Sequence, residues 1–298
     1  MKILLLGKNG QVGWELQRSL APLGELIALD SRGDGALCGN LLDLAGLAAT
    51  VRQVKPDVIV NAAAYTAVDR AEAEPIPART INADAPGVLA DEAAKIGAWL
   101  LHYSTDYVFD GSGTSPWRED DATGPLSVYG ETKLEGEQAV ARSPKHLIFR
   151  TSWVYSARGN NFARTMLRLA QERDALRVID DQVGAPTGAE LLADVTAQIL
   201  RSHADRPEVA GIYHLAALGE TSWYGYARML IDHARGIGAP IRVAAEAIAP
   251  ITTQEYPLPA RRPANSRLDT TKLRRVFGLT LPDWRVGVRR ALDEMLNK

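Results

Sequence analysis

Short apolar runs alternate with amphipathic stretches through the first half of the chain. The apolar runs are predicted to be buried strands at residues 2–6, 25–29, 57–60, 98–101 and 146–150. Helical spacing of apolar residues follows, most clearly at residues 14–20, 72–96 and 129–142. We expect Pro75, Pro77 and Pro86 to break the first turns of the second helical stretch. The alternation of strand and helix predicts an α/β fold with a doubly wound parallel sheet.

The pattern loosens beyond residue 155. Helices are predicted at 160–173, 188–201 and 222–236, a short strand at 211–215, and an irregular, proline-rich segment at 249–267. No internal repeat or low-complexity linker separates the two halves. We therefore predict two interleaved lobes. Residues 1–155 form the doubly wound lobe, completed by later segments such as 160–175 and 211–236, and residues 156–298 form mainly a smaller, mixed lobe.

The composition of the 298 residues is ordinary for a globular protein, with 46% hydrophobic and 23% charged residues. A formal net charge of −2 gives no basis for binding nucleic acid. No apolar run approaches the roughly 18 residues that cross a membrane, and no signal-peptide pattern precedes the first strand. The one cysteine, Cys38, cannot form an internal disulfide. These features predict a cytoplasmic protein whose partner is neither nucleic acid nor a membrane.

A glycine-rich loop with glycines at positions 7, 10 and 13 joins the first predicted strand to the first predicted helix. Glycines allow a tight turn and let the backbone approach a pyrophosphate, which then lies at the helix N-terminus. Strand, glycine loop and helix are the opening of a Rossmann unit, so we expect a dinucleotide cofactor here. A tight turn without a ligand is the alternative interpretation.

Asp30 ends the second predicted strand. An acidic side chain there can accept hydrogen bonds from both ribose hydroxyls of NAD and repels the 2′-phosphate of NADP. Arg32 can offset that repulsion, so Asp30 favours NAD without excluding NADP, and a role as a turn residue remains the competing interpretation. The small residues that follow the third predicted strand, at 61–66, let a flat cofactor lie close to the backbone.

Tyr129 and Lys133 lie four residues apart in a predicted helix and therefore share a face. A phenol ordinarily has a pKa of about 10, and a neighbouring ammonium lowers that pKa and makes the phenol usable as a general acid or base. Alone, the pair can equally be a solvent-exposed tyrosine and lysine. Upstream, the fourth apolar run ends in Ser104 and Thr105, whose hydroxyls can donate to a substrate carbonyl. The three kinds of side chain together favour catalysis.

Hydroxyl, tyrosine, lysine and glycine loop together resemble the extended short-chain dehydrogenase/reductase superfamily. Over essentially the whole chain the sequence is most similar to the dTDP-4-dehydrorhamnose reductase family. The segments that carry this resemblance are 7–16, 61–66, 104–109, 129–133, 150–155, 184–187, 261–263 and 266–268. The resemblance implies reduction of the 4-keto group of dTDP-4-dehydrorhamnose to dTDP-L-rhamnose, the last step to a precursor of bacterial surface polysaccharides. It also implies NADPH or NADH as cofactor.

The resemblance implies a role for each matching residue. Tyr129 would donate a proton to the ketone oxygen, Lys133 would hold the nicotinamide ribose and tune Tyr129, and Thr105 would orient the ketone. Besides Tyr129 and Lys133, the cofactor would contact Gly7, Asn9, Gly10, Gln11, Val12, Gly13, Asp30, Asn40, Leu41, Ala62, Ala63, Ala64, Tyr65 and Thr66. The substrate would contact Ser104, Thr105, Asp106, Trp153, Arg261 and Arg262.

Three further expectations concern a departure from the family pattern, the contacts to the diphosphate and a divalent ion. Asn40 stands where the family has an aspartate, which weakens the expected contacts to adenine. The guanidiniums of Arg261 and Arg262 can bind the diphosphate bidentately, or they can be surface charges. The resemblance also implies a divalent ion, commonly Mg²⁺, held by Glu15 and Glu190 where two copies of the chain meet as a homodimer.

Three other functions fit parts of the sequence. A sugar-nucleotide 4,6-dehydratase needs an added acid and base, and relatives with that activity carry Thr-Asp-Glu where this chain has Tyr107 in place of the glutamate. A 4-epimerase would share Tyr129 and Lys133, but the segments above do not match its pattern. Some relatives of these reductases are non-catalytic regulatory subunits of a methionine adenosyltransferase. An intact Thr105, Tyr129 and Lys133 argues against that role.

Overall fold

The computed structural model describes residues 1–296. Its strands are β1 (Lys2–Leu6), β2 (Glu25–Leu29), β3 (Val58–Asn61), β4 (Trp99–Thr105), β5 (His146–Thr151), β6 (Val154–Tyr155), β7 (Leu176–Ile179), β8 (Val183–Gly184), β9 (Thr187–Gly188), β10 (Gly211–His214), β11 (Thr221–Ser222) and β12 (Ile248–Ile251). Its helices are α1 (Gln11–Leu20), α2 (Leu44–Val54), α3 (Val68–Ala73), α4 (Pro75–Arg79), α5 (Ala85–Ile96), α6 (Val128–Val140), α7 (Phe162–Glu172), α8 (Ala189–His203), α9 (Trp223–Gly236), α10 (Thr271–Phe277) and α11 (Trp284–Met295). None of these helices is both long and apolar enough to span a lipid bilayer.

A six-stranded sheet with the order β2-β1-β3-β4-β5-β10 forms the centre of the molecule. Every neighbouring pair of strands in it is parallel. Its inner strands are buried on both faces, which is why they read as continuous apolar runs in the sequence. The strand order reverses between β1 and β3, and ligands of such sheets bind outside the carboxyl ends of the strands at that point. The predicted doubly wound, Rossmann-type fold is confirmed.

Two apolar layers cover this sheet. On one face Leu16 of α1, Ile199 of α8 and Phe277 of α10 pack against alternate strand residues such as Leu101. On the other face the layer is supplied mainly by α2 and α5. The strand side chains alternate between the two layers because successive residues of a strand point to opposite faces.

A second hydrophobic core lies in the C-terminal half, where Met166, Tyr226, Leu230, Trp284 and Leu292 pack together. Helices α7, α9 and α11 surround it, together with the small parallel pair β7 and β12. The segments 160–175 and 211–236 were expected to complete the first lobe. The structure divides them, since β10 joins the large sheet whereas α7 and α9 belong to the second core.

The predicted helix at 72–96 is divided in the structure. Pro75 begins α4, and Pro86 lies in the first turn of α5, positions where a proline costs no helical hydrogen bond. A turn of π-helix at Thr80–Asp84 connects the two. The proline-rich segment 249–267 was predicted to be irregular, but its first residues pair with β7 as strand β12.

Candidate functional site

A cleft of about 840 Å³ lies at the carboxyl ends of the parallel strands. Its floor comes from residues at or just beyond the ends of β1 to β5, and its far wall comes from α7 and α9 of the second core. Most residues proposed from the sequence line it: Gly7, Asn9, Gly10, Gln11, Val12, Asp30, Asn40, Leu41, Ala62, Ala63, Ala64, Thr66, Ser104, Thr105, Asp106, Tyr129, Lys133 and Trp153.

The glycine loop brings its backbone close to the segment after β3. Gly7 has a φ of +86°, and a Cβ there would lie 2.8 Å from the nitrogen of Ala63, so another residue would not fit. Gly13 does not line the cleft. It lies beneath the loop, where a Cβ would lie 2.0 Å from the carbonyl oxygen of Gly7. Helix α1 begins without a side-chain cap, so its first amides are available to an anion. The loop therefore fits a pyrophosphate.

Asp30 is held by two neighbours at the rim of the cleft. Asn9 Nδ2 donates to Asp30 Oδ2 at 2.6 Å, and Arg32 Nη2 donates to the same oxygen at 2.8 Å. The hydrogen bonds from Arg32 lower the pKa of Asp30 to about 2. Arg32 also lines the cleft. A 2′-phosphate bound here would meet the guanidinium of Arg32 as well as the carboxylate.

Tyr129 lies in the first turn of α6, which begins where Ser127 Oγ accepts a hydrogen bond from the Gly130 amide at 3.3 Å. Burial raises the pKa of Tyr129 to about 12, partly offset by a hydrogen bond to the side chain of Thr105. We expected Lys133 to lower this pKa; burial, Thr105 and the charge of Asp106 account for the shift, and tuning of Tyr129 by Lys133 stays a prediction. The Tyr129 phenol is therefore fully protonated near neutral pH, the state that a proton donor requires.

Lys133 is buried, with 1% of its surface exposed, and its ammonium is directed at β4. Lys133 Nζ lies 2.6 Å from the carbonyl oxygen of Tyr103 and 3.1 Å from His102 Nε2. Burial lowers the pKa of Lys133 to about 8, with Glu137 acting in the opposite direction. The ammonium is therefore held by β4 rather than by the Tyr129 phenol.

Three buried oxygen atoms in the cleft have no hydrogen-bond partner among residues 1–296: Ser104 Oγ, Asp106 Oδ2 and Thr151 Oγ1. Buried polar groups are nearly always paired in proteins, so unpaired ones that line a cleft are suited to a polar ligand. Burial raises the pKa of Asp106 to about 6, and the nearby hydroxyls of Ser266 and Thr105 act in the opposite direction. Thr151 was not proposed from the sequence. Its position opposite Thr105 in the register of β4 and β5 brings it to the site.

Trp153 is positioned in the cleft by an unusual backbone and by a small neighbour. Its φ is +49°, a conformation that is costly for any residue but glycine. A Cβ on Gly184 would lie 2.8 Å from Trp153 Cε2, so the glycine leaves room for the indole. On its other side Trp153 stacks on Trp223 of α9. No motif marks Trp223 in the sequence, and sequence reasoning missed it together with Phe162 and Tyr226.

Three more of the proposed ligand-binding residues do not line the cleft. The Tyr65 phenol donates to Glu74 Oε2 at 2.5 Å and accepts a hydrogen bond from Arg70. Arg262 donates to Asp69 Oδ2 at 2.6 Å and to Asp69 Oδ1 at 2.9 Å. Asp69 follows Val68, which lines the cleft, but is not itself part of the lining. Arg261 is exposed. Binding of the cofactor by Tyr65 and of the substrate by the two arginines stays a prediction.

Glu15 and Glu190 lie in one acidic neighbourhood outside the cleft. Burial and the nearby carboxylates of Glu15, Asp194 and Glu294 raise the pKa of Glu190. Arginines face both glutamates, Arg18 at 3.6 Å from Glu15 and Arg290 at 3.7 Å from Glu190. Within residues 1–296 no three His, Cys, Asp or Glu residues are grouped so as to hold a metal ion. The divalent ion remains an expectation from the resemblance, because one chain does not supply a full set of ligands.

Comparison with known proteins places the chain in a family. A model of the RmlD substrate binding domain matches residues 1–297. A dTDP-4-dehydrorhamnose reductase of Escherichia coli (strain K12) is 58% identical over 296 residues, which cover 99% of this chain and 98% of that protein. A protein of the same description from Burkholderia thailandensis is 48% identical over the full length of both chains.

Solved structures agree with the sequence comparison. A dTDP-4-dehydrorhamnose reductase from Clostridium acetobutylicum superimposes with a TM-score of 0.90 at 37% identity, covering all of both chains. The structure of the Bacillus anthracis reductase, in complex with NADP, has a TM-score of 0.88 at 32% identity and covers 99% of this chain and 100% of that one. The chain belongs to the dTDP-4-dehydrorhamnose reductase family, as its motifs predicted.

Proposed function

We propose that this protein reduces the 4-keto group of dTDP-4-dehydrorhamnose to dTDP-L-rhamnose, with NADPH or NADH as the hydride donor. The observation that carries the proposal is the single cleft that Thr105, Tyr129 and Lys133 line together with the glycine loop. The relative at 58% identity whose name carries this activity supports the same substrate.

The cofactor would be held along the floor of the cleft. Gly7 and Gly10 fit its pyrophosphate at the N-terminus of α1, and Asp30 and Arg32 fit the adenosine ribose. When bound, the reduced nicotinamide supplies a hydride to the ketone carbon. The structure of the Bacillus anthracis relative contains NADP, and the guanidinium of Arg32 beside Asp30 supports acceptance of NADPH by this chain too.

Tyr129 would donate its proton to the ketone oxygen as negative charge develops there. Its pKa of about 12 keeps the phenol protonated until that moment. Thr105 Oγ1 donates to Asp106 Oδ1 at 3.1 Å and accepts from the Tyr107 amide at 3.2 Å. Those bonds fix Thr105 beside the phenol, where it can orient the ketone.

The sugar and its nucleotide would lie on the side of the second core. The unpaired oxygens of Ser104, Asp106 and Thr151 can pair with sugar hydroxyls, and Trp153 offers an apolar face.

Cys38 is a free thiol. This is in keeping with work in a reducing cytoplasm. We propose a homodimer from the family resemblance alone.

The proposal is tested by following the absorbance of reduced nicotinamide after addition of dTDP-4-dehydrorhamnose, with NADH and NADPH in parallel. We expect oxidation of the coenzyme with a stoichiometry of one per keto sugar, and dTDP-L-rhamnose as the product. Coenzyme binding without any turnover would overturn the enzymatic proposal and favour a regulatory binding subunit. Turnover of other 4-keto sugar nucleotides with higher efficiency would reassign the substrate.

A further inference from the structure

Three buried side chains form a row that ends at the wall of the cleft: Asn61 of β3, His102 of β4 and Lys133 of α6, of which Lys133 lines the cleft. Asn61 Nδ2 lies 3.2 Å from His102 Nδ1, and His102 Nε2 lies 3.1 Å from Lys133 Nζ. Each of the three is 1% exposed. Among residues 1–296 the imidazole therefore has a polar side chain at each of its nitrogens, and one of those side chains is the lysine of the proposed active site.

The hydrogen-bonding capacity of His102 limits what this row can do. Burial and the charge of Lys133 lower the pKa of His102 well below its usual value, so the ring is neutral. A neutral imidazole has one N–H donor and one accepting nitrogen. Both facing nitrogens, Asn61 Nδ2 and Lys133 Nζ, are donors when the lysine is charged. His102 can accept from only one of them at a time.

The protonation of Lys133 is thereby linked to the tautomer of His102. A charged Lys133 needs an accepting Nε2, which places the ring proton on Nδ1. The side-chain amide of Asn61 must then turn its oxygen toward Nδ1–H, and that oxygen gives up its hydrogen bond from the Ala63 amide. A neutral Lys133 can accept from Nε2–H, and Nδ1 then accepts from Asn61. In that second arrangement Asn61 Oδ1 keeps its hydrogen bond from the amide of Ala63, at 3.2 Å. Ala63 lines the part of the cleft that we assign to the cofactor.

We infer that His102 is a positioning residue for Lys133: its Nε2 accepts a hydrogen bond from the charged ammonium and holds it in place. The Tyr103 carbonyl, 2.6 Å from Nζ, accepts a second ammonium proton. One proton then remains, fixed in direction, for a ligand in the cleft. This role deepens the proposed function and rests on it, since the ligand would be the nicotinamide ribose.

Few other groups influence the ammonium. Glu137, one turn along α6, favours its charged form, and burial opposes it. On β4 the facing groups are His102 and the Tyr103 carbonyl, and on β3 Asn61 reaches Lys133 only through His102. Removing the acceptor at His102 should therefore lower the pKa of Lys133 further, because the charged ammonium loses more stabilisation than the neutral amine does.

The first test needs no substrate. Protein labelled with ¹⁵N in its five histidines would be studied by long-range ¹H–¹⁵N correlation, and the signals of His102 would be assigned by their loss in His102→Gln. We expect a neutral ring with the proton on Nδ1 at neutral pH. A proton on Nε2 at that pH would overturn the inference, because Nε2 then cannot accept from an ammonium.

The second test compares two variants. His102→Gln retains an acceptor, whereas His102→Phe keeps a ring of similar size without one. We expect the Phe variant to bind NADPH about tenfold more weakly than the parent, the usual effect of losing one charge-assisted hydrogen bond. As the pH is raised, the Phe variant should also lose its activity at a lower pH than the parent, because the pKa of Lys133 is lower. The Gln variant should stay within a few-fold of the parent in both. Equal coenzyme binding and equal pH profiles in the Phe variant and the parent would overturn the inference.

Two controls separate this role from packing and from the proposed function. His214 is also fully buried, outside the cleft, and His214→Phe should change the melting temperature without moving the pH profile. If His102→Phe does not fold, the tautomer and the Gln variant still decide the question. Failure of the parent to reduce the keto sugar would refute the proposed function, while the tautomer and NADPH binding remain measurable.

Discussion

The indole rings of Trp153 and Trp223 stack, with their centroids 3.6 Å apart and an angle of 12° between their planes. Trp153, which follows β5, therefore depends on helix α9 for its position. The indole nitrogen of Trp223 donates to Gln182 Oε1 at 3.1 Å, which fixes it in turn. Trp153 has an unfavourable backbone conformation, so its orientation is maintained by these neighbours rather than by local preference.

We expect Trp223→Ala to raise the KM for the sugar nucleotide by about tenfold, because Trp153 loses the surface that supports it. Coenzyme binding should be unchanged, since the proposed cofactor site lies on the opposite side of the cleft. The matched variant Trp223→Phe keeps an aromatic face and should retain a KM within a few-fold of the parent. Steady-state kinetics with each ligand varied separately decide this, and equal KM values for the Ala and Phe variants would show that the stack is only structural.

Tyr129→Phe should reduce kcat by roughly 10²–10⁴-fold, the usual value of general acid catalysis, while folding and coenzyme binding stay nearly intact. The ring of Tyr107 packs edge-on against Tyr129, with centroids 5.4 Å apart, and offers a matched phenol in the same cleft. Tyr107→Phe should therefore have a much smaller effect on kcat. A Tyr129→Phe enzyme within a few-fold of the parent would exclude the proposed proton donor.

The pair Asp30 and Arg32 predicts the coenzyme preference. Asp30→Ala should shift the ratio of kcat/KM values toward NADPH, because the carboxylate that repels a 2′-phosphate is removed and Arg32 is released from it. Arg32→Ala should shift the same ratio toward NADH. If neither substitution changes the ratio, Asp30 serves only the turn after β2.

The raised pKa of Asp106 predicts how the free energy of unfolding depends on pH. Its folded-state pKa, about 6, is raised from the ordinary 3.8. The stability that it contributes is therefore complete below about pH 4 and is lost as the pH rises through 6. Asp106→Asn, a neutral isostere, should gain up to about 3 kcal/mol over the parent at pH 8 and little at about pH 4. Urea unfolding at the two pH values measures this.

The control for Asp106 is an exposed aspartate. Hydrogen bonds from Ser112 lower the pKa of Asp110, so Asp110→Asn should slightly destabilise the protein at pH 8 rather than stabilise it. An Asp106→Asn variant that is less stable than the parent at pH 8 would mean that the carboxylate is well solvated in the folded protein.

Substitutions at Arg262 and at its partner Asp69 test whether Arg262 contacts the substrate directly or only holds its loop in place. Arg262→Ala should raise the KM for the sugar nucleotide about tenfold, and Arg261→Ala should raise it less because that side chain is exposed. Asp69→Asn weakens the ion pair to Arg262 without removing the guanidinium. An equal loss in Asp69→Asn would indicate that Arg262 holds the loop. A normal KM in that variant would indicate a direct contact with the diphosphate.

The sequence predicted the parts of the site that depend on neighbours along the chain. The glycine loop follows from a strand and a helix within a few residues of each other, and the shared face of Tyr129 and Lys133 follows from one helical turn. The hydroxyls of Ser104 and Thr105 follow from the end of an apolar run. Because these relations are local, spacing and residue type were enough to place them at the cleft.

The parts that depend on distant pairings were not predictable. Thr151 reaches the site only through its register with β4, and Trp223 only because α9 packs in a separate core. The direction of the Lys133 ammonium follows from His102 and Tyr103, which lie on another element. Helical spacing indicates that two side chains share a face, but it does not indicate where a flexible lysine ends.

The position of β10 has a consequence for synthesis of the protein. Its partner β5 ends at residue 151, yet residues 211–214 must pair with it to close that side of the sheet. While the chain emerges from the ribosome, β5 is an open edge with unpaired amides and carbonyls, and such edges promote association between nascent chains. A fragment that stops at residue 155 would keep that edge permanently, so residues 1–155 should aggregate when they are produced alone.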